Sequence, residues 1–113
     1  MKNPKYNLKK NDKGQFHFNL TAANGEPILR SEMYESKAGA MNGIESVKKN
    51  SPLEERYQLL EAKNGQFYFN LRAGNNQVIG TSEMYKSKSG RDNGVQSVMK
   101  NGPIAPVDDH TAE

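Results

Sequence analysis

The chain has 113 residues, a hydrophobic share of 34%, a mean hydropathy of −0.94 and a formal net charge of +3. That length suits one domain or two half-domains with a common core, and the lean apolar content favours a thin, open architecture. Cysteine is absent, which excludes disulfides, thiol catalysis and cysteine-held metals, while the mild basicity is compatible with a polyanionic partner without requiring one.

Met1-Lys2-Asn3-Pro4 leads into polar residues, so no apolar signal core is visible. No apolar run approaches the roughly 18 residues of a membrane helix, and a soluble, cytoplasmic protein is expected. Tyr6-Asn7-Leu8-Lys9 alternates large apolar with polar residues, the period of a half-buried strand. Asn11-Asp12-Lys13-Gly14 is turn chemistry. Phe16 to Thr21 alternates strictly and predicts a second strand. Asn24-Gly25 predicts a hairpin turn. Pro27 to Ser31 reads as a third strand, with the proline at its start, where the missing N–H is tolerated.

A helix follows, with Ser36 as N-cap and an end near Lys49. Asn50 is expected to stop it in the left-handed region, and Pro52 cannot continue it. Gly39 and Gly43 lie four apart inside this helix, each costing about 0.8–1 kcal/mol relative to alanine. Close packing against the glycine face is the reason expected for them.

From Tyr57 the series begins again. Tyr6 to Pro52 reappears as Tyr57 to Pro103 at a constant offset of 51 and without a gap, roughly half the positions being identical. Asn75-Asn76 replaces the Asn-Gly turn, Ser87 repeats the cap, and Gly90 and Gly94 repeat the helical glycines. The expected core is Tyr6, Leu8, Phe16, Phe18, Leu20, Ile28, Ile44 and Val47 with their counterparts. One such set is marginal against the ordering entropy of some fifty residues, and Ser51 to Arg56 is too short to separate two domains. The two copies are therefore expected to pack together.

Phe16 to Leu20, Ala23 to Ile28, Ser31 to Tyr34, Ser36-Lys37 and Asn42 to Asn50 together resemble the YegP-like family of small bacterial proteins, over nearly the whole chain. The resemblance implies a β3-α-β unit, two of which build a single sheet and exchange their last strands. The expected fold class is α+β: two tandem β3-α-β repeats, 1–52 and 53–113, related by a pseudo-twofold axis and sharing one core. They would form one largely antiparallel sheet with both helices on one face. The tail departs from the family pattern, since Pro106 and the pair Asp108-Asp109 argue against a long final strand. The family is uncharacterised, so the resemblance carries over no catalytic residue.

Chemistry is sparse. His17 and His110 have no metal-ligand spacing, and no glycine cluster leads into a phosphate loop. Neither a metal nor a cofactor is expected. Ser31-Glu32-Met33-Tyr34-x-Ser36-Lys37 contains nucleophile, acid and base types, but a strand end followed by a helix cap explains the block more simply. Alternation turns Asn7, Lys9, His17, Asn19 and Thr21 away from the core, with Gln58, Leu60, Tyr68, Asn70 and Arg72 from the second copy. His17, Asn19, Tyr68, Asn70 and Arg72 are the candidate binding residues, as planar and cationic groups on an open sheet. The expected function is that of a small non-enzymatic binding or accessory protein, monomeric and with an unspecified partner. Single-stranded nucleic-acid binding through the sheet face is one alternative, and an enzyme built on the Ser-Glu-Met-Tyr-x-Ser-Lys block is another.

Overall fold

A computed structural model describes residues 2–111; the outer ends of the expected units, residues 1 and 113, lie outside them. Period-2 alternation produces strands where it was read: β1 (Lys5–Lys10), β2 (Phe16–Thr21) and β3 (Pro27–Arg30), then β4 (Tyr57–Glu61), β5 (Phe67–Arg72) and β6 (Val78–Thr81). Helix α1 (Lys37–Asn50) follows β3, helix α2 (Lys88–Asn101) follows β6, and a short β7 (Val107–Asp109) ends the series. The seven strands form one sheet in the order β4-β5-β6-β3-β2-β1-β7, antiparallel except where β7 lies parallel to β1.

Local chemistry explains the joins. Gly25 and its counterpart Asn76 both stand at positive φ (86° and 70°), which the second turn of each repeat requires. The register slips between Leu20 and Thr21, and again between Leu71 and Arg72. The extra residue of each bulge lets Ile28 and Leu29 both reach the core, at 6% and 0% exposure.

Ser36 and Ser87 cap the helices by accepting from the N–H of Gly39 at 3.0 Å and of Gly90 at 2.9 Å. The expected left-handed stop at Asn50 is corrected. The cap residue Ser51 is right-handed (φ −60°), and Asn50 instead turns its amide back to the Ser46 carbonyl at 2.8 Å.

The helical glycines are explained by a tyrosine. The Tyr34 ring lies over Gly43, where an added Cβ would collide with its hydroxyl and meet Phe18 Cε2 at 3.1 Å. Tyr34 also stacks on Phe18 with centroids 6.2 Å apart. Tyr85 covers Gly94 in the same way.

The two copies meet on a pseudo-twofold axis that two contacts define. Arg30 pairs with Thr81 where β3 meets β6, and these residues are counterparts at the offset of 51. At the helix ends a Cβ on Gly102 would strike the side chain of its counterpart Ser51. Symmetry must fail where identical bulky groups would coincide. Leu29 is fully buried near the axis, while its counterpart is Gly80, whose Cβ would stand 2.7 Å from Leu29 Cγ. The hydroxyl of Tyr6 donates to the Gly102 carbonyl at 2.6 Å and that of Tyr57 to the Ser51 carbonyl at 2.7 Å, so the opening tyrosine of each repeat grips the helix end of the preceding or following one.

A single contiguous core runs across both copies and includes Tyr6, Leu8, Phe18, Leu20, Ile44, Val47, Phe69, Leu71 and Val98. Leu29, Ala40 and Ala105 belong to it although they were not among the expected residues, and Phe16 is only half-buried. Leu59, the counterpart of Leu8, is a correction: it is 51% exposed against 0%. Asp92 stands where the first helix has Met41, and among the described residues no strand flanks β4 as β7 flanks β1.

Two predictions follow from this packing. Leu29→Gly leaves a cavity costing about 2–5 kcal/mol, and Gly80→Leu overpacks the axis at about 1–3 kcal/mol. The double swap restores one leucine at the axis, so chemical denaturation of the four species should show a favourable coupling of about 0.5–3 kcal/mol. Strict additivity would mean that the two positions do not share one space.

The second concerns β7. Lys5 bonds to Asp108, and Lys37 with Thr111 bonds to Asp109, which holds both carboxyls below the usual carboxylate range. A depressed folded pKa stabilises above the unfolded value near 3.9 and loses that contribution as pH falls through the folded one. Nuclear Overhauser contacts between Val107 and Tyr6 should therefore weaken below about pH 4 while β2–β3 contacts persist. Release of β7 on raising the pH instead would contradict the pairing.

Candidate binding face

With both helices packed on the Tyr6–Phe18–Leu20 side, the other set of alternating side chains is left without a covering layer. The registers align them. Gln58, Asn70, Thr81, Arg30, Asn19, Asn7 and Asp108 stand opposite one another, strand by strand, in one polar row across all seven strands. Neighbours in the row bond to each other: Asn7 Nδ2 donates to Asn19 Oδ1 at 2.8 Å and Thr81 Oγ1 to Asn70 Oδ1 at 2.9 Å. Asn70 Nδ2 reaches Gln58 Oε1 at 3.4 Å. These bonds fix the amide planes and leave their remaining donors and acceptors facing outward.

Arg30, at the centre of the row, is exposed and makes no side-chain hydrogen bond or ion pair among the described residues. Lys5 and Lys9 on β1, and Arg72 on β5, share its face by alternation. The only carboxylate among the described strand residues on this face is Asp108, already bound by Lys5 Nζ at 2.8 Å and approached by His110 Nε2 at 3.2 Å. The face is therefore net positive.

All five candidate residues lie on this side, but they do not converge. Asn19 and Asn70 are in the row. His17 pairs with Lys9 and Tyr68 with Leu60. Strands β2 and β5 are separated by β3 and β6, three spacings or roughly 14 Å. Because β2 and β5 run oppositely, His17 and Arg72 fall on one side of the row and Tyr68 on the other. Arg30 and Thr81, which complete the row, were not among the candidates. Their signal was present: they are counterparts at the offset of 51, in strands whose alternation the bulge hides. Asn7 and Thr21 reach only 8% and 7% exposure, since their neighbours cover them.

The serine-rich block is occupied by structure. Ser31 Oγ accepts from the Phe18 N–H at 2.9 Å and donates to the Glu32 carbonyl at 2.8 Å, and Ser82 repeats both bonds. Ser36 is spent on its cap, and Lys37 pairs with Asp109 rather than with a serine. Burial pushes the hydroxyl pKa of Tyr34 and Tyr85 upward, away from any role as a base. Among the described residues no three His, Asp or Glu side chains gather as metal ligands, and no helix is long and apolar enough to cross a membrane.

Comparison with known proteins agrees with the duplicated architecture. A family described as a domain of unknown function (DUF1508) matches twice, over residues 11–58 and 62–109. A UPF0339 protein of Shewanella oneidensis is 57% identical over 106 residues, spanning 94% of this chain and 96% of its own. UPF0339 protein YegP of Escherichia coli K12 is 51% identical over 106 residues, with the same coverage. The solution NMR structure of the E. coli yegP protein superposes with a TM-score of 0.92 at 48% identity, covering 100% of this chain and 97% of that one. That of a Shewanella oneidensis UPF0339 protein gives 0.90 at 56% identity, covering 95% and 91%. With two matched domains, half-identical relatives along most of its length and the same fold, the chain belongs to the UPF0339 (YegP-like) family of tandem DUF1508 proteins.

Proposed function

We propose that the protein is a non-enzymatic binding protein that presents its helix-free sheet face to an extended anionic ligand. The observation that carries this reading is the charge of the face. Among the described residues Lys9, Arg30 and Arg72 have no carboxylate partner there, and the single strand carboxylate, on Asp108, is already paired. A flat row of fixed amides flanked by separated cations suits a chain-like ligand better than a small molecule, which would need a concave pocket. Ser31, Ser36 and Lys37 are held by backbone and by Asp109, which favours binding over catalysis. A monomer acting in the cytoplasm is the setting that this reading assumes.

Single-stranded nucleic acid is the second reading, favoured by Tyr68, whose ring stands on the face beside the amide row. A half-exposed aromatic offers stacking and the arginines offer phosphate contacts. Titration of a labelled mixed-sequence oligonucleotide at two salt concentrations tests both. Arg30→Ala and Arg72→Ala should each flatten the salt slope by about one unit. Tyr68→Ala should cost about 1–3 kcal/mol with little change in slope. No binding by the wild type at low salt removes the nucleic-acid reading. Binding that survives Lys9→Ala, Arg30→Ala and Arg72→Ala together removes the sheet face as the site.

A further inference from the structure

The two halves of the sheet end differently. Outside β1 stands β7; outside the equivalent β4 stands nothing among the described residues. The internal repeat thus supplies a filled and an unfilled version of one site, and the filled one shows what fits. Tyr6 N–H donates to the Pro106 carbonyl and His110 N–H to the Leu8 carbonyl, both at 2.8 Å. Val107 lies beside Tyr6 on the core side, Asp108 beside Asn7 on the open face and Asp109 beside Leu8. Lys5 and Lys37 hold the two aspartates.

The side chains of that seat have counterparts around β4. Tyr57 and Leu59 replace Tyr6 and Leu8, Arg56 replaces Lys5, and Lys88 at the start of α2 replaces Lys37. Leu59 is 51% exposed where Leu8 is covered. A cavity of about 280 Å³ lined by Tyr57, Leu59 and Val95, with Glu54, Asp92 and Gln96 at its rim, lies where an inward apolar side chain of an added strand would enter. The Tyr57 N–H is satisfied by the Glu54 carbonyl, so the offset leaves the Leu59 N–H and C=O to face the open edge. Arg56 Nε bonds to Asn50 Oδ1 at 3.0 Å, and neither Arg56 nor Lys88 has a carboxylate partner among the described residues. Glu54 and Asp92 are the adverse charges at the rim, and Arg91 Nε offsets that of Asp92 at 3.3 Å.

We infer that the β4 edge is a peptide-docking site that takes an extended acidic segment of a partner protein, added parallel to β4. Its recognition chemistry is an apolar residue followed by two carboxylates. The apolar side chain enters the cavity beside Leu59, the first carboxylate meets Arg56, and the second meets Lys88. Main-chain bonds to Leu59 supply affinity, and the cations supply specificity and direction.

The probe is a capped peptide with the sequence of residues 104–111, titrated into the isotope-labelled full chain and followed by amide shifts. Saturable shifts at Leu59, Leu60 and Lys88, with Tyr6 and Leu8 unmoved, are expected. A peptide carrying Asp108→Asn and Asp109→Asn should bind on the order of tenfold more weakly, without any change to the protein. Lys88→Glu in the protein, at an exposed position, should weaken binding of the acidic peptide and spare the asparagine one. Shifts confined to Tyr6 and Leu8 would show that the peptide only displaces β7 and would overturn the proposal, as would no shift at millimolar peptide. Concentration-dependent shifts of β4 without peptide, with a doubled sedimentation mass, would overturn it in favour of a second copy at the edge.

Discussion

Everything in this molecule hangs on the junction of β3 with β6, where Arg30 pairs with Thr81 and the chain meets its own copy. Neither half presents a closed core by itself, because α1 packs over its own β2 and reaches β5 and β6, while α2 spans β5 and β3. The junction is short, since β3 and β6 have four residues each. It holds because side chains lock it from the core side. Leu29 occupies the space that Gly80 vacates, and Tyr6 and Tyr57 reach across to carbonyls at the ends of the opposite helices. A duplicated sequence can keep nearly everything symmetric except what lies on the axis, and there it must diverge.

That constraint also shapes the surface. Putting both helices on one side leaves a seven-stranded face without a lid, and the pairing at the axis brings the polar positions of both halves into one line. The row is thus a consequence of the duplication, and its amides are ordered before any ligand arrives. The halves differ at their outer edges because only one helix is followed by a segment long enough to return as a separate strand. After α1 the chain passes through the Glu54–Arg56 turn directly into β4, whereas after α2 it lays down β7 against β1.

Much of this was legible in the residues. Strand alternation, both serine caps, the positive-φ turn at Asn76 and the tight contact at Gly43 each have a local cause, and the structure has them where the pattern put them. What was hidden is tertiary. Tyr34 as the cover of Gly43 joins a strand end to a helix interior, and no periodicity encodes that. The bulges concealed Leu29 in the core and Arg30 on the face, because an extra residue inverts the alternation beyond it. Leu59 reads as core by its likeness to Leu8, yet its exposure depends on Asp92 and on the strand missing outside β4. The candidate residues share a direction and not a place: alternation told which way His17 and Tyr68 point, and only the strand order shows how far apart they are.

The central claim is that the two copies are one folding unit. It is tested most directly by sedimentation and circular dichroism of the isolated second half, residues 53–113, at micromolar concentration. With the β3 side of β6 unpaired, Gly80 unfilled and the face of α2 toward β3 uncovered, the account predicts either an unfolded chain or an associated species in which copies of β6 replace the missing partner. A folded, cooperatively melting monomer would contradict it.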